Sequence, residues 1–298
     1  SLVDYGPDLF FGLWVYLEFL RMDKIFAVHN SIFSYLDEIK ISPLSRAYTF
    51  SDSVYEVIPF CNSNLIAFEN HINRLEKSCD ALNLSLDMEK TSKEICDLIS
   101  RSKLINGYVY YQVSRGVDLI RSHIFDDSLS VETFGYVVDH AFKSQKLKVM
   151  ICEDLRWQRC DIKSTSLLGN VLSMNDANSH GCDEVIMHKN NILTEGGASN
   201  VFFANEDTVF TPALSNNILP GITRELLINE IKNLGIKVEE GNFDINEIKD
   251  AKSIWLTSST KGLAQVMDIL NLETNLIEDH ILFQKCEQIF VEKFLSGS

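Results

Sequence analysis

The chain has 298 residues, 45% of them hydrophobic, which is enough apolar material for two domains with separate cores. Its formal net charge of −15 argues against nucleic acid or an anionic membrane as a partner, because such polyanions need clustered basic residues. Seven cysteines without CxxC pairs predict reduced thiols in a cytoplasmic protein, and seven histidines without a ligand-like cluster predict no metal site.

The first 21 residues are apolar but fit neither a membrane span nor a secretion signal. The run 9–20 is too short for a spanning helix, which needs about 20 apolar residues, and it contains Glu18. A secretion signal would begin with basic residues and end at small ones. We therefore interpret residues 1–21 as an N-terminal extension or as a mis-set start before Met22, and we expect no membrane partner.

Residues 22–140 alternate short β-favouring runs with helical patterns. The predicted elements are strands at 25–29, 54–60 and 108–113 and helices at 70–82 and 91–100. This alternation predicts a small α+β domain. The polar stretch 139–146 that follows it is interpreted as a linker.

Residues 146–295 are richer in β-favouring runs. The predicted elements are a strand at 148–152, a helix from Leu167 to a stop at Gly181, hairpin-like runs at 185–192 and 201–210, a helix at 225–234 and a strand at 253–256. We predict a larger β-rich domain here. The whole chain is then an α+β protein of two domains, with a ligand pocket expected between them.

Lys163 lies between the predicted strand 148–152 and the helix that follows Leu167. Most lysines are solvated surface charges. Two apolar flanking elements predict instead that Lys163 is desolvated, which disfavours the charged form of an amine and leaves a lone pair that can attack a carbonyl. The position therefore indicates Schiff-base chemistry.

Two segments could bind a phosphate group. The first leads through Gly221 into the predicted helix 225–234, so the amides of Ile222 and Thr223 would be unpaired at a helix N-terminus. The second is the hydroxyl loop, residues 257–262, which follows an apolar strand. Hydroxyl groups are also common in ordinary turns, so this loop alone does not predict a site.

Glu195 ends one predicted strand and precedes another. A carboxylate among β-branched and aromatic residues needs a partner, and a protonated pyridine nitrogen would be one. The alternative is an exposed glutamate in a hairpin.

A series of short motifs follows Met22 in order along nearly all of the chain. They are Val54-Tyr55-Glu56-Val57, His71-Ile72-Asn73-Arg74-Leu75, Gln112-Val113-Ser114-Arg115-Gly116, Arg121-Ser122-His123, Arg156-Trp157-Gln158-Arg159-Cys160-Asp161-Ile162-Lys163-Ser164, Thr194-Glu195-Gly196, Ser199-Asn200-Val201-Phe202, Gly221-Ile222-Thr223-Arg224 and Thr257-Ser258. The order of these motifs resembles the D-amino acid aminotransferase family of fold type IV pyridoxal-phosphate enzymes. The ordered set is far more specific than any one motif.

The resemblance implies that pyridoxal 5′-phosphate is the cofactor and that Lys163 holds it as a Schiff base. Lys163 would then move a proton between the substrate Cα and the cofactor. Glu195 would hold the pyridinium nitrogen. The residues implied to bind the phosphate are Arg74, Ile222, Thr223, Ser259 and Thr260.

The resemblance also implies how the substrate is bound. Tyr55, Arg121 and His123 match residues that bind the α-carboxylate, with the last two expected from the neighbouring subunit of a homodimer. Without the other motifs, Arg121 and His123 would be interpreted as a solvated basic loop. The implied reaction is transamination of a D-alanine-type amino acid with 2-oxoglutarate, giving pyruvate and D-glutamate, so the partners are small amino acids and 2-oxo acids.

Other functions of the same fold stay open at this point. They are an L-branched-chain amino acid aminotransferase, an aminodeoxychorismate lyase, and a cofactor carrier without activity. The pair Arg121 and His123 favours the D-specific function.

The chain departs from the family pattern at two places. Ser51 and Ser53 replace glycines before Tyr55, and this adds side chains where the backbone bends. After Glu195, Gly197 and Ala198 replace serines, which removes hydroxyl groups from the expected cofactor site.

Overall fold

The computed structural model describes residues 25–295, so the predicted N-terminal extension, residues 1–21, lies outside the described part of the chain. Two β-sheets with covering helices make up this part, which confirms the predicted α+β class. Within residues 25–295, no helix has the length and apolar character needed to cross a membrane.

The first sheet has six strands in the order β2-β1-β6-β5-β3-β4, and neighbouring strands are antiparallel. The strands are β1 (Phe26–His29), β2 (Ile32–Tyr35), β3 (Ser53–Cys61), β4 (Asn64–Leu65), β5 (Gly107–Ser114) and β6 (Glu132–Asp139). The helices of this part are α1 (Arg46–Phe50), α2 (Phe68–Ala81) and α3 (Met88–Ser102), with a 3₁₀ turn at Leu36–Glu38.

Alternation along β5 gives the first sheet two different faces. Val109, Tyr111 and Val113 are buried in one core with residues of α2 and α3. Tyr110 lies between them in the sequence and points to the opposite face, where its ring stacks on Tyr55 of β3 at 5.4 Å. This second face lies beside the site described below.

The second sheet has eight strands in the order β12-β11-β10-β13-β14-β7-β8-β9, with parallel pairs at β11–β12, β14–β7 and β7–β8. The strands are β7 (Gln145–Glu153), β8 (Glu184–Lys189), β9 (Ile192–Gly196), β10 (Asn200–Ala204), β11 (Thr208–Pro212), β12 (Lys237–Gly241), β13 (Ser253–Ser258) and β14 (Gly262–Ile269). The helices are α4 (Leu168–Ser179), α5 (Ile222–Asn233) and α6 (Ile281–Phe290), followed by a π-helical turn at Val291–Leu295; a 3₁₀ turn lies at Ile245–Ile248.

The two faces of the second sheet are covered differently. One face packs around residues such as Val149 and Phe203, while Phe202 and Trp255 on the other face pack against α5 and α6. The chain passes from the first sheet to the second between Asp139 and Gln145. The division into domains 22–140 and 146–295 stays a prediction.

Helix α4 differs from the prediction. Its apolar spacing predicts a buried element, yet Leu168 and Leu172 are 70% and 62% exposed, and Ala177 is its one buried residue. The periodicity predicts a helix correctly, but it does not say which surface covers the apolar side chains. Lys163 is therefore flanked by one buried element, β7, and not by two.

Candidate active site

A cavity of about 1210 Å³, including its open mouth, lies between the two sheets and is lined by residues of both. Tyr55 and Arg74 come from the part that contains the first sheet. The segment before and within α4, the turn after β9, the start of α5 and the hydroxyl loop supply the other walls. A pocket in this place is what the two-domain fold predicts.

Lys163 lines this cavity from the loop between β7 and α4. Its Nζ lies 4.4 Å from the centre of the Tyr55 ring, a cation–π distance. Tyr55 N donates to Lys163 O at 2.9 Å, and Val54 and Ser164 form a β-bridge beside that bond. The loop that carries the lysine is thus fixed to β3 of the first sheet.

The two serines before Tyr55 take part in the same attachment. Ser51 adopts φ +53°, a left-handed conformation that favours glycine. Ser53 is buried, with its Oγ 2.6 Å from Thr165 Oγ1, and Thr165 N donates to Ser53 O at 3.0 Å. The added Ser53 hydroxyl therefore binds the lysine loop.

Glu195, at the end of β9, is a buried carboxylate that lines the cavity, so its interpretation as an exposed hairpin glutamate is wrong. It accepts hydrogen bonds from Arg156 Nη1 at 2.6 Å and from Asn200 Nδ2 and Leu219 N, both at 3.0 Å. Burial raises the pKa of Glu195 to about 7, although the Arg156 guanidinium and the Leu219 amide oppose that rise.

Arg156 is a site residue to which the sequence analysis assigns no role. Besides its bond to Glu195, its Nε and Nη2 donate to the two carboxylate oxygens of Asp154 at 2.9 and 2.7 Å. Asp154 and Arg156 are both buried. One guanidinium therefore joins two buried carboxylates, and the cluster of Asp154, Arg156 and Glu195 favours a further positive charge beside Glu195. The sequence gives one indication of this role, which is the position of the arginine just after the strand β7.

A second buried ionic cluster lies on the side of the first sheet. Arg74 Nε and Nη2 donate to Glu56 at 2.6 and 2.9 Å, and His71 Nδ1 lies 2.7 Å from the same carboxylate. Burial alone would raise the pKa of Glu56, but the charges of Arg74 and His71 hold it below its ordinary value. Arg74 Nη1 also donates to Pro220 O at 3.0 Å, which places the guanidinium beside the start of α5.

The start of α5 provides free amide donors, as predicted. The helix begins at Ile222 after Gly221, and Glu225 N bonds to Gly221 O at 3.0 Å. The amides of Ile222 and Thr223 precede that first helical bond, so they have no acceptor within the helix. Gly221, Ile222 and Thr223 all line the cavity. Together with Arg74 they form an end of the cavity that suits an anion.

The hydroxyl loop also lines the cavity, but its lining residues begin earlier in the chain than the predicted pair Ser259 and Thr260. Thr257, Ser258 and Ser259 line the cavity, whereas Thr260 does not. Because β13 ends at Ser258, the chain turns away from the cavity after Ser259. The Thr260 carbonyl instead accepts a hydrogen bond from His140 Nε2 at 2.7 Å.

Two buried hydroxyl groups of the lining have no hydrogen-bond partner among residues 25–295. They are Thr257 Oγ1 and Ser199 Oγ. Buried polar atoms are nearly always paired, so these two groups point to a polar ligand. The cavity can hold a molecule that is anionic near Arg74 and cationic near Glu195, next to the amine of Lys163. No group of side chains among residues 25–295 has the composition to hold a metal ion.

Arg121 and His123 lie outside the lining of this cavity. Both are exposed and pack on Phe50, with the Arg121 Cζ 4.7 Å and the His123 ring centre 5.3 Å from the centre of its ring. Between them, Ser122 O accepts a hydrogen bond from Arg46 Nη1 at 2.7 Å. Of the three residues predicted to bind the substrate carboxylate, Tyr55 alone lines the cavity of its own chain.

Solved structures with the same fold include aminotransferases and a putative 4-amino-4-deoxychorismate lyase from Legionella pneumophila, which has a TM-score of 0.79 at 20% identity over 85% of this chain and 95% of that one. A branched-chain amino acid aminotransferase from Escherichia coli has a TM-score of 0.81 at 20% identity, over 92% of this chain and 95% of that one. The holo-form, with pyridoxal phosphate, of a branched-chain amino acid aminotransferase from Thermobaculum terrenum has a TM-score of 0.81 at 19% identity, over 90% and 92%. At these identities the similarity shows the fold alone.

Relatives found by sequence are more similar to this chain, and they show its family as well as its fold. A D-alanine aminotransferase from Listeria monocytogenes is 32% identical over 262 residues, which cover 85% of this chain and 90% of the relative. One from Staphylococcus epidermidis is 31% identical over 267 residues, covering 87% and 92%. The family model for amino-transferase class IV matches residues 53–269, which include the lysine, both buried ionic clusters and the hydroxyl loop. The chain belongs to the class IV aminotransferases.

Proposed function

We propose that this aminotransferase uses pyridoxal 5′-phosphate to transaminate a D-alanine-type amino acid with 2-oxoglutarate, giving pyruvate and D-glutamate. The observation that carries the proposal is one cavity whose lining contains Lys163, the start of α5 with Arg74, and the buried carboxylate Glu195. The similarity to D-alanine aminotransferases over most of the chain supports the choice of substrate.

The donors of the cavity fit the cofactor. Arg74, the amides of Ile222 and Thr223, and the hydroxyl groups of Ser258 and Ser259 would hold its phosphate, each charge-assisted bond contributing about 1.5–3 kcal/mol. Thr260 lies outside this set, because it does not line the cavity. When bound, the cofactor supplies an electron-withdrawing ring that stabilises negative charge developing on the substrate Cα.

Glu195 would hold a proton on the ring nitrogen. Asp154 and Glu195 share one guanidinium, so the cluster has one carboxylate more than it has cations. A protonated ring nitrogen beside Glu195 would balance that charge, and it would also lower the raised pKa of Glu195. The cofactor ring would be most electron-withdrawing in this protonated form.

Lys163 would perform the proton transfer. Its amine can take a proton from the substrate Cα and return it at the cofactor, and the Tyr55 ring and the bond to Tyr55 N fix its position. The face on which Lys163 lies determines which enantiomer can lose its proton. The orientation of the substrate carboxylate therefore selects between D- and L-amino acids.

Arg121 and His123 would orient that carboxylate from the neighbouring subunit of a homodimer. Within one chain they lie off the cavity, whereas Tyr55 lines it. A guanidinium and an imidazole can bind a carboxylate together with high directionality. This part of the site would be complete only in the dimer.

The test is to supply D-alanine, L-leucine or aminodeoxychorismate with 2-oxoglutarate and to assay pyruvate, glutamate and aromatic product. We expect pyruvate and D-glutamate from D-alanine. Product from L-leucine alone would support an L-branched-chain aminotransferase, and aromatic product would support a lyase. Cofactor binding without any product would support a carrier.

The cofactor site is tested separately by borohydride reduction. We expect the pyridoxyl label on the peptide that contains Lys163. A label on another lysine, or no label, would contradict the proposal.

A further inference from the structure

The hydroxyl loop carries a lysine that pairs with a buried carboxylate outside the cavity. Lys261 Nζ donates to Glu184, whose side chain is fully buried, while 23% of the Lys261 side chain is exposed. The other oxygen of Glu184 accepts a hydrogen bond from Gly197 N at 2.9 Å. One carboxylate therefore joins the hydroxyl loop to the turn that follows Glu195.

Glu184 is held rigidly. It is the first residue of β8 and pairs with Val149 in the interior of the second sheet. A Cβ on Gly197 would lie 2.8 Å from Glu184 Oε1 and 2.4 Å from Met174 Sδ, so both side chains would have to move to admit one. The replacement of a serine by Gly197 thus has a structural reason, and Glu184 is a fixed anchor.

The hydroxyl loop joins two paired strands, with Ser258 of β13 opposite Gly262 of β14. Its turn, residues 259–261, connects β13 to β14 and carries Ser259 toward the cavity. Lys261 N donates to Ser258 Oγ at 3.1 Å. Lys261 thus orients one hydroxyl group through its backbone and attaches the turn to Glu184 through its side chain.

We propose that Lys261 is a positioning residue that fixes the hydroxyl loop to Glu184 and so holds Ser258 and Ser259 at the cofactor phosphate. This inference rests on the proposed cofactor. Without the ammonium group, Glu184 would be a buried carboxylate with no cation, which is unfavourable, and the turn would lose its attachment. The serines would then donate to the phosphate with poorer geometry.

The experiment titrates apoenzyme with pyridoxal phosphate and with pyridoxal, which lacks the phosphate, and follows absorbance. In Lys261→Met we expect the half-saturating concentration of pyridoxal phosphate to rise about tenfold, the scale of one weakened phosphate contact. The value for pyridoxal should change less than about twofold, because it makes no phosphate contact. Lys261→Arg, which keeps the charge, should restore most of the affinity.

Two further variants make the test specific. Lys261→Met combined with Glu184→Gln removes the buried charge as well as the attachment, so it keeps the protein folded if the single variant fails to fold. We expect the same selective loss of pyridoxal phosphate affinity in it. Lys237→Met, which removes an exposed pair with Glu239, is the matched control and should bind both compounds as the unchanged protein does.

Equal losses for both compounds would overturn the inference, because they would show a general structural effect. Unchanged affinity for pyridoxal phosphate in the folded variants would overturn it too. If the unchanged protein bound no pyridoxal phosphate, the proposed cofactor itself would be wrong. Binding of pyridoxal phosphate by the unchanged protein therefore distinguishes a wrong inference about Lys261 from a wrong cofactor.

Discussion

The two groups of charged residues assigned to ligand binding are built very differently. Around Glu195 and Arg74, each charged group is buried and paired with another group of the same chain. Arg121 and His123, by contrast, are exposed and pack on Phe50 away from the cavity. In the proposed dimer, one folded chain would preorganise the cofactor end, and a second subunit would complete the substrate end.

The largest expected effect comes from changing Lys163, the lysine that lines the cavity. Lys163→Ala should abolish both transamination and the absorbance band of the Schiff base, because no other amine lines the cavity formed by residues 25–295. Activity assays and the visible spectrum check this. Lys93→Ala, on the exposed surface of α3, is the control and should retain both. An unchanged spectrum in Lys163→Ala would contradict the assignment.

Removing a charged group from the buried clusters should destabilise the fold. Arg156→Met leaves Asp154 and Glu195 buried without a cation, so we expect it to lower the free energy of unfolding by about 3–5 kcal/mol. Urea denaturation of the apoprotein measures this. Arg159, three residues after Arg156, makes a more exposed pair with Asp161, so Arg159→Met should leave the unfolding transition nearly unchanged. Similar transitions for the two variants would argue against the role of Arg156.

Substitution of the exposed residues Arg121 and His123 should weaken substrate binding and leave the stability of the fold unchanged. Arg121→Met should raise the KM for the amino acid by about 10- to 100-fold, the value of one charge-assisted contact, with cofactor affinity unchanged. Steady-state kinetics and a cofactor titration check the two halves of this prediction. Weaker cofactor binding in this variant would place Arg121 in the other region.

Mixed dimers sharpen the comparison further. If Arg121 acts on the neighbouring cavity, then dissociating and reassociating Lys163→Ala with Arg121→Met gives heterodimers with one intact site. Random pairing should then recover about a quarter of the unaltered activity, since half of the dimers are mixed and each has one working site. Activity no higher than the sum of the two parents would show that both residues act on the same cavity of one chain.

The last prediction concerns pH. Folding raises the pKa of Glu195 from 4.5 to about 7, so the folded apoprotein binds this proton more tightly than the unfolded chain. The free energy of unfolding should therefore fall as the pH rises from about 4.5 to about 7 and level off above that range. Glu195→Gln should lack this component. Parallel pH profiles for the two proteins, from urea denaturation, would contradict it.

Local patterns predicted the elements well. The helix predicted at 70–82 is α2, Phe68–Ala81, and the strand predicted at 108–113 is β5, Gly107–Ser114. In both, the spacing of apolar residues records which face is buried. Helix α4 shows the limit of that signal, because apolar spacing does not tell whether the chain itself covers the face.

Short sequence motifs pointed to those cavity residues whose neighbours in the chain are characteristic. Lys163, Arg74 and Glu195 belong to short motifs and all line the cavity. The ion pair of Arg156 with Glu195 joins residues 39 positions apart, and no local pattern contains that pairing. The shift from Thr260 to Ser258 depends on where β13 ends, and sequence patterns fix such an end only to within a few residues.

The attachment of the lysine loop to β3, through Tyr55 N, Ser53 and the Val54–Ser164 bridge, limits how ligands can enter. Opening the cavity along that seam would break these bonds and displace Lys163 itself. The lining residues Trp157 and Val171 are exposed, so a ligand that entered past them would leave these bonds intact. The same short loop therefore fixes the position of the Lys163 amine and attaches this wall of the cavity to β3.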